Sequence, residues 1–160
     1  MKKVVFVILL LLAPLLVAAR AEAQPAFDRH GPFGLGIILG EPSGISGCIW
    51  ASDGNKFNFL AHWSVRHEWF GGAVDYQYAF WDLLPSGAHG ALKFPVSIGG
   101  GGVFALGDDV FWVGARVPVD IAMAWTRVPL EVFLQLAPVL WLVEDTDLDG
   151  MGGIGVRYYF

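Results

Sequence analysis

The sequence predicts an all-β fold, an eight-stranded antiparallel up-and-down transmembrane β-barrel. Three observations predict it. First, beyond the N-terminal two dozen residues, apolar side chains recur at every second position over short segments, the period of an extended strand with one apolar face. Second, the chain is 55% hydrophobic and only 16% charged, with 21 Gly and 7 Trp, yet no later run approaches the roughly 20 apolar residues of a membrane helix. Third, the final stretch, GGIGVRYYF (152–160), sets Ile154, Val156, Tyr158 and Phe160 on one face and Gly153, Gly155, Arg157 and Tyr159 on the other. Short alternating segments separated by turn residues are what a membrane-crossing barrel requires.

The elements follow in order. Residues 1–23 read as a signal peptide: Lys2 and Lys3 precede an apolar run from Val4 to Val17, and Ala21-Glu22-Ala23 offers a small-x-small cleavage site. Residues 24–160 form the barrel domain. Its first strand, Phe33 to Leu39, ends at the turn Glu41-Pro42-Ser43-Gly44. The second runs from about Ile45 to Ala51, and Asp53-Gly54 marks a hairpin. The third, about Lys56 to Val65, alternates Phe57, Phe59, Ala61, Trp63 and Val65 with Asn58, His62 and Ser64. The fourth, about Trp69 to Phe80, opposes Val74, Tyr76, Tyr78 and Phe80 to Asp75 and Gln77. A Pro- and Gly-rich connection leads to the fifth, about Leu92 to Phe104, whose Gly99–Gly102 tract suggests a close strand approach or a sharp bend. The sixth spans about Val110 to Trp125 and the seventh about Leu130 to Val143. An acidic loop, Glu144 to Gly150, precedes the closing strand. An even strand number lets first and last pair antiparallel, leaving no edge.

If the apolar face meets lipid, the other face points inward. Asp75, Lys93, Arg116, Asp120, Glu131, Gln135 and Arg157 then form an interior charge network. Buried charges must pair, and an eight-stranded barrel is only wide enough for side chains to fill, so a plugged lumen is expected rather than a pore. Trp50, Trp63, Trp69, Trp81, Trp112, Trp125 and Trp141 all fall at or near strand ends, where aromatic girdles sit at the two membrane interfaces; Phe160 joins them.

Charge narrows the partners. Removing Lys2, Lys3 and Arg20 from the 10 basic residues leaves 7, and removing Glu22 from the 15 acidic ones leaves 14, a mature net charge of −7. That argues against nucleic acid, which calls for basic patches. Cys48, the only cysteine, reads as a small apolar wall residue.

The architecture resembles the small barrels of the OmpA and OmpX type. PLEVFLQLAPVL (129–140), the GGIGVRYYF ending and GLGIILGEPSGISG (34–47) further resemble a family of small outer-membrane barrels known from spirochaetes and other bacteria. The resemblance implies location and fold: an integral protein of the bacterial outer membrane, in contact with lipid and lipopolysaccharide, whose C-terminal strand is read by the barrel assembly machinery. It implies no enzymatic role and no cofactor. The expected function is a structural or envelope role, or surface binding of an unknown ligand.

Other chemistries leave partial traces. His62-Trp63-Ser64, with Asp75 as the acid, is similar to the His-x-Ser pair of lipid A deacylase, another eight-stranded barrel; a His base needs a hydroxyl within reach and an acid to orient it. Val65 stands where that family has Asn, and alternation turns His62 and Ser64 inward, away from a lipid substrate. Asp145, Asp147 and Asp149 resemble the start of a calcium loop, but the twelfth position, where a bidentate Glu is required, is Val156. A weak divalent-ion site there, a narrow pore and an adhesin remain alternatives. With both termini periplasmic, the 41–44, 66–68, 106–109 and 144–150 connections face outward, and all are short.

Overall fold

A computed structural model of the chain describes residues 31–64, 69–87, 91–107, 111–143 and 146–160. The signal-peptide reading, on residues 1–23, lies outside them. The described residues hold ten β-strands: β1 (Phe33–Glu41), β2 (Ser43–Trp50), β3 (Asn55–Ser64), β4 (Trp69–Phe80), β5 (Leu92–Lys93), β6 (Val96–Leu106), β7 (Phe111–Arg116), β8 (Val119–Trp125), β9 (Leu130–Trp141) and β10 (Asp147–Tyr159). All pairings are antiparallel, and β10 pairs with both β9 and β1. The sheet therefore closes into a ring of eight strands, two of them split.

Both splits sit at a proline. Phe94-Pro95 separates β5 from β6, and Val117-Pro118 separates β7 from β8. Proline has no N–H to give the ladder, but its carbonyl still accepts: Pro95 from Ala122 N–H at 3.0 Å and Pro118 from Gly99 N–H at 3.1 Å. The register on either side of each break is unchanged, Gly101 opposite Arg116 before Pro118 and Ser97 opposite Asp120 after it. The interruption costs hydrogen bonds without turning any side chain to the other face. The Gly99–Gly102 tract lies inside β6, paired residue by residue with Gln77, Tyr76, Asp75 and Val74.

Register also fixes the tilt. From Gly34, successive partners round the ring are Cys48, Asn58, Asp75, Gly101, Arg116, Val139 and Asp149. The direct partner of Gly34 on β10 is Tyr159. Positions 149 and 159 are ten residues apart, so the ring closes with a stagger of ten. At about 3.3 Å per residue and about 4.8 Å between strands, that inclines the strands by about 40°.

The two faces are inverted relative to a water-soluble sheet. Leu39 is 65% exposed, Leu136 58% and Ile121 47%, whereas Arg116 and Arg157 are 2% and 1% exposed. Val132 and Val156, on the outward parity, are half-buried. Inside the ring, Cys48, Trp50, Ala79, Ala124 and Tyr159 pack with Trp81 toward the end where β1 begins and β10 stops. A second apolar cluster, including Ile38, Phe133, Val139 and Met151, packs with Trp69 and Trp141 toward the opposite end.

The tryptophans depart from the girdle expectation. Trp50 is fully buried, on the parity of Cys48; its indole N–H donates to Tyr159 Oη at 3.3 Å and its ring lies 5.2 Å from Trp81. Trp69, Trp81, Trp112 and Trp141 are half-buried and share the parity of inward residues on their strands. Only Trp63 and Trp125 carry the outward parity. A strand end has two faces, and position along the strand does not choose between them. Outward aromatics at the end where β1 begins and β10 stops include Phe33, Tyr78, Phe80, Tyr158 and Phe160, with Phe33–Phe160 and Tyr158–Phe160 centroids 6.2 and 5.1 Å apart.

Candidate functional site

The site is the interior itself. Its charged members come from strands whose alternation turns them inward: Lys56 on β3, Asp75 on β4, Arg116 on β7, Asp120 on β8, Glu131 on β9 and Arg157 on β10, all buried. Three cations meet three anions, so the described interior is neutral.

Two connected groups emerge. In the first, Lys56 Nζ lies 3.1 Å from Asp120 Oδ2, which also accepts from Asn58 Nδ2 at 3.3 Å. Asp120 Oδ1 accepts from Gln135 Nε2 at 2.8 Å, and Gln135 Oε1 accepts from Arg116 at 2.8 Å. Arg116 Nε lies 3.1 Å from Asp75 Oδ1 as a charge contact; the N–H is off that line, so neither atom completes a hydrogen bond there. Asn58 also donates to Gln77, which reaches the Pro118 carbonyl at 3.4 Å. In the second group, Arg157 pairs with Glu131 Oε1 at 2.9 Å, gives Ser46 Oγ two hydrogen bonds at 3.0 and 2.9 Å, and lies over the Phe133 ring at 3.7 Å. Tyr159 donates to Glu131 Oε2 at 3.1 Å.

Glycines make these reaches possible. Gly101 stands in register between Asp75 and Arg116, and Gly36 between Ser46 and Arg157. In both cases two side chains, two strands apart, meet over a residue with no side chain. A Cβ on Gly101 would overlap the Asp75 carboxylate, and one on Gly36 would overlap the β10 backbone at Val156–Arg157. The outward Gly100 and Gly102 face open space.

Of the expected network, Asp75, Arg116, Asp120, Glu131, Gln135 and Arg157 come together. Lys93 does not join them. It is half-buried, its ammonium 5.7 Å from the Trp81 ring centroid. Lys56 takes the interior place. It shares the inward parity of Asn58, but it directly follows a turn, where alternation alone does not mark a lysine as interior. Lys56→Met should therefore cost about 3 kcal/mol, the order expected when one partner of a buried pair is removed, and Lys93→Ala less than about 1 kcal/mol. Denaturant unfolding of the chain folded in detergent micelles checks both.

The hydrolase geometry is not assembled. His62 is fully buried, its ring edge-on to Trp69 at 5.0 Å, and neither nitrogen has a hydrogen-bond partner among the described residues. Its cross-strand neighbour is Gly71, whereas Asp75 sits opposite Asn58, four residues along. Four strand residues separate them by about 13 Å, and Asp75 already faces Arg116. Ser64 closes β3. Asp145 lies outside the described residues. Asp147 and Asp149 belong to β10, which starts earlier than expected and takes up part of the acidic loop. They are exposed, and each accepts its successor's N–H, at 2.9 and 2.7 Å. Among the described residues no group of three or more His, Cys, Asp or Glu is placed to hold a metal ion.

Comparison with protein-family models, with curated proteins and with solved structures yields no match.

Proposed function

We propose that this chain is an eight-stranded up-and-down β-barrel of the bacterial outer membrane, delivered by a cleaved signal peptide and closed by side chains, with a structural role in the envelope. The observation that carries the reading is the inversion of faces: neutralised charge inside, a continuous apolar surface outside. Such a surface in water is far larger than the few hundred Å² that soluble monomers usually expose, whereas hydrocarbon accepts it. Ring closure supports the same reading, since no open edge is tolerated in a bilayer core. A strand of about ten residues tilted by about 40° rises about 25 Å, the height of the apolar band of such barrels.

The interior favours a plug over a channel. Its ion pairs, its amides and the two tryptophan-containing clusters occupy the space that an eight-stranded ring encloses. The partners this reading implies are outer-membrane lipid and lipopolysaccharide, and the barrel assembly machinery through the C-terminal strand.

Fractionation and gel migration test it. The mature chain should partition with outer membranes and run faster unheated than boiled, because a closed barrel resists detergent unfolding. A chain recovered in the soluble periplasm, with no heat-dependent shift, would overturn the reading. Planar bilayers containing the folded chain should show no stable conductance steps.

A further inference from the structure

We infer that Asp147 and Asp149 hold closed a free strand edge on β10 that otherwise pairs, rim to rim, with the same edge of a second copy of this chain. The ladder between β1 and β10 stops at Glu41 opposite Gly152, because the chain turns over at Pro42 into β2. β10 begins five residues earlier, and Asp147 to Met151 pair only with β9 among the described residues. About 16 Å of strand, at about 3.3 Å per residue, therefore runs on past the β1–β2 hairpin with one side uncovered. Asp147, Leu148, Asp149 and Gly150 are all exposed.

Alternation decides which backbone groups face the gap. At the far end of β10, Tyr159 N–H bonds to the Pro129 carbonyl, next to β9, and Phe160 N–H to the Phe33 carbonyl on β1. The register with β9 runs unbroken from Tyr158 back to Asp147. Even-numbered residues of β10 therefore turn their N–H and C=O toward the β1 side, and past Gly152 these are Gly150 and Leu148. An uncovered edge of this kind is a template for another strand. Here each of its two amides is taken by the residue before it. Leu148 N–H donates to Asp147 Oδ1 at 2.9 Å, and Gly150 N–H to Asp149 Oδ1 at 2.7 Å. An incoming carbonyl finds no free donor.

The edge is self-complementary in shape. Antiparallel pairing about a two-fold axis at Asp149 sets Leu148 of each copy opposite Gly150 of the other, and both are hydrogen-bonded pairs. Leu148 is 73% exposed, and a Cβ at Gly150 meets nothing within 4 Å. Beside Gly150 lies a hollow of about 440 Å³ whose lining includes Leu136, Pro138 and Leu148, all of the outward parity. It has room for the Leu148 side chain of the second copy. Charge opposes the same contact, since the two Asp149 side chains stand directly across from one another, and facing like charges destabilise a sheet. Capped amides and facing carboxylates thus act in the same direction. The axis runs across the sheet, so the two rings meet end to end. Copies that share one orientation in one membrane cannot make this contact; the guard acts between apposed surfaces, and in micelles, where orientation is free.

The test is the mass of the folded mature chain in an excess of non-ionic micelles, by light scattering after size exclusion. The wild-type chain should run as one copy per micelle. D147A/D149A frees two amides and removes two charges from each copy. It should raise the dimer-to-monomer ratio about tenfold or more at equal concentration, while keeping its heat-dependent gel shift. D147V/D149V, whose side chains suit a strand, should do the same and decides the matter if the alanine variant does not fold. Leu148→Pro added to either should restore the monomer, because the N–H it removes faces the gap and the β9 ladder keeps its bonds. A folded double variant that stays monomeric, a wild-type chain that dimerises as strongly, or a dimer that Leu148→Pro leaves intact would overturn the inference and leave the barrel reading standing. A wild-type chain with no gel shift would overturn both, since the closed ring defines the edge.

Discussion

Replacing Arg157 by Ala should destabilise the folded chain by about 4 kcal/mol, the order found when one partner of a buried ion pair is removed. Arg157 is held from three sides: Glu131 at 2.9 Å, Ser46 through two hydrogen bonds, and the Phe133 ring at 3.7 Å. Its loss strands the Glu131 carboxylate, whose other oxygen accepts from the Tyr159 hydroxyl. The penalty comes from that uncompensated buried charge more than from the lost attraction. Two further variants separate these contributions. Glu131→Gln should be destabilising too, because it strands the guanidinium. The Arg157→Ala, Glu131→Gln pair should be less destabilised than the sum of the singles by about 1–3 kcal/mol, the coupling expected of contacting residues. Urea unfolding in micelles, followed by tryptophan fluorescence, measures the cycle. Additive losses would mean that the pair contributes nothing specific to the folded interior.

The second large effect is expected at a residue with no side chain. Gly101→Ala should cost about 2–3 kcal/mol, because the added methyl overlaps the Asp75 carboxylate and the Val74 carbonyl and separates Asp75 from Arg116. Gly100→Ala and Gly102→Ala, one position away on the same strand, should be neutral or stabilising by up to about 0.5 kcal/mol, because a Cβ there meets nothing within 4 Å and alanine restricts the unfolded chain. The contrast tests the inward and outward alternation of β6 directly. Equal effects at the three positions would place the tract in some other conformation. Asp75→Asn should lose most of its own effect in the Gly101→Ala background, since the contact that both changes break is the same one.

Much of the fold was legible because strand parity is local. Leu134 and Gln135 are neighbours in sequence and face opposite ways, so a period-two pattern assigns a side to each residue without knowledge of its partner. That is why Asp75, Arg116, Asp120, Glu131, Gln135 and Arg157 could be placed inside together. The tryptophans and Lys93 were harder for a related reason. At a strand end either parity can be apolar, and burial there depends on what crosses the mouth of the ring. Trp50 turns in because Tyr159 and Trp81 are there to receive it. Lys93 stays at the rim because its strand is broken at Pro95 after two residues.

The sequence by itself determined eight alternating segments, the side on which each residue lies, and hence an interior of matched charges behind an apolar wall. Only the tertiary structure decided which charges meet. Arg157 and Glu131 are direct cross-strand neighbours, but Lys56 reaches Asp120 from a strand that does not pair with β8, and Asp75 reaches Arg116 over Gly101. Those meetings depend on the stagger accumulated round the closed sheet. Alternation along a strand repeats every two residues whatever the neighbours do, whereas height in the ring is a sum over every pairing between the two strands.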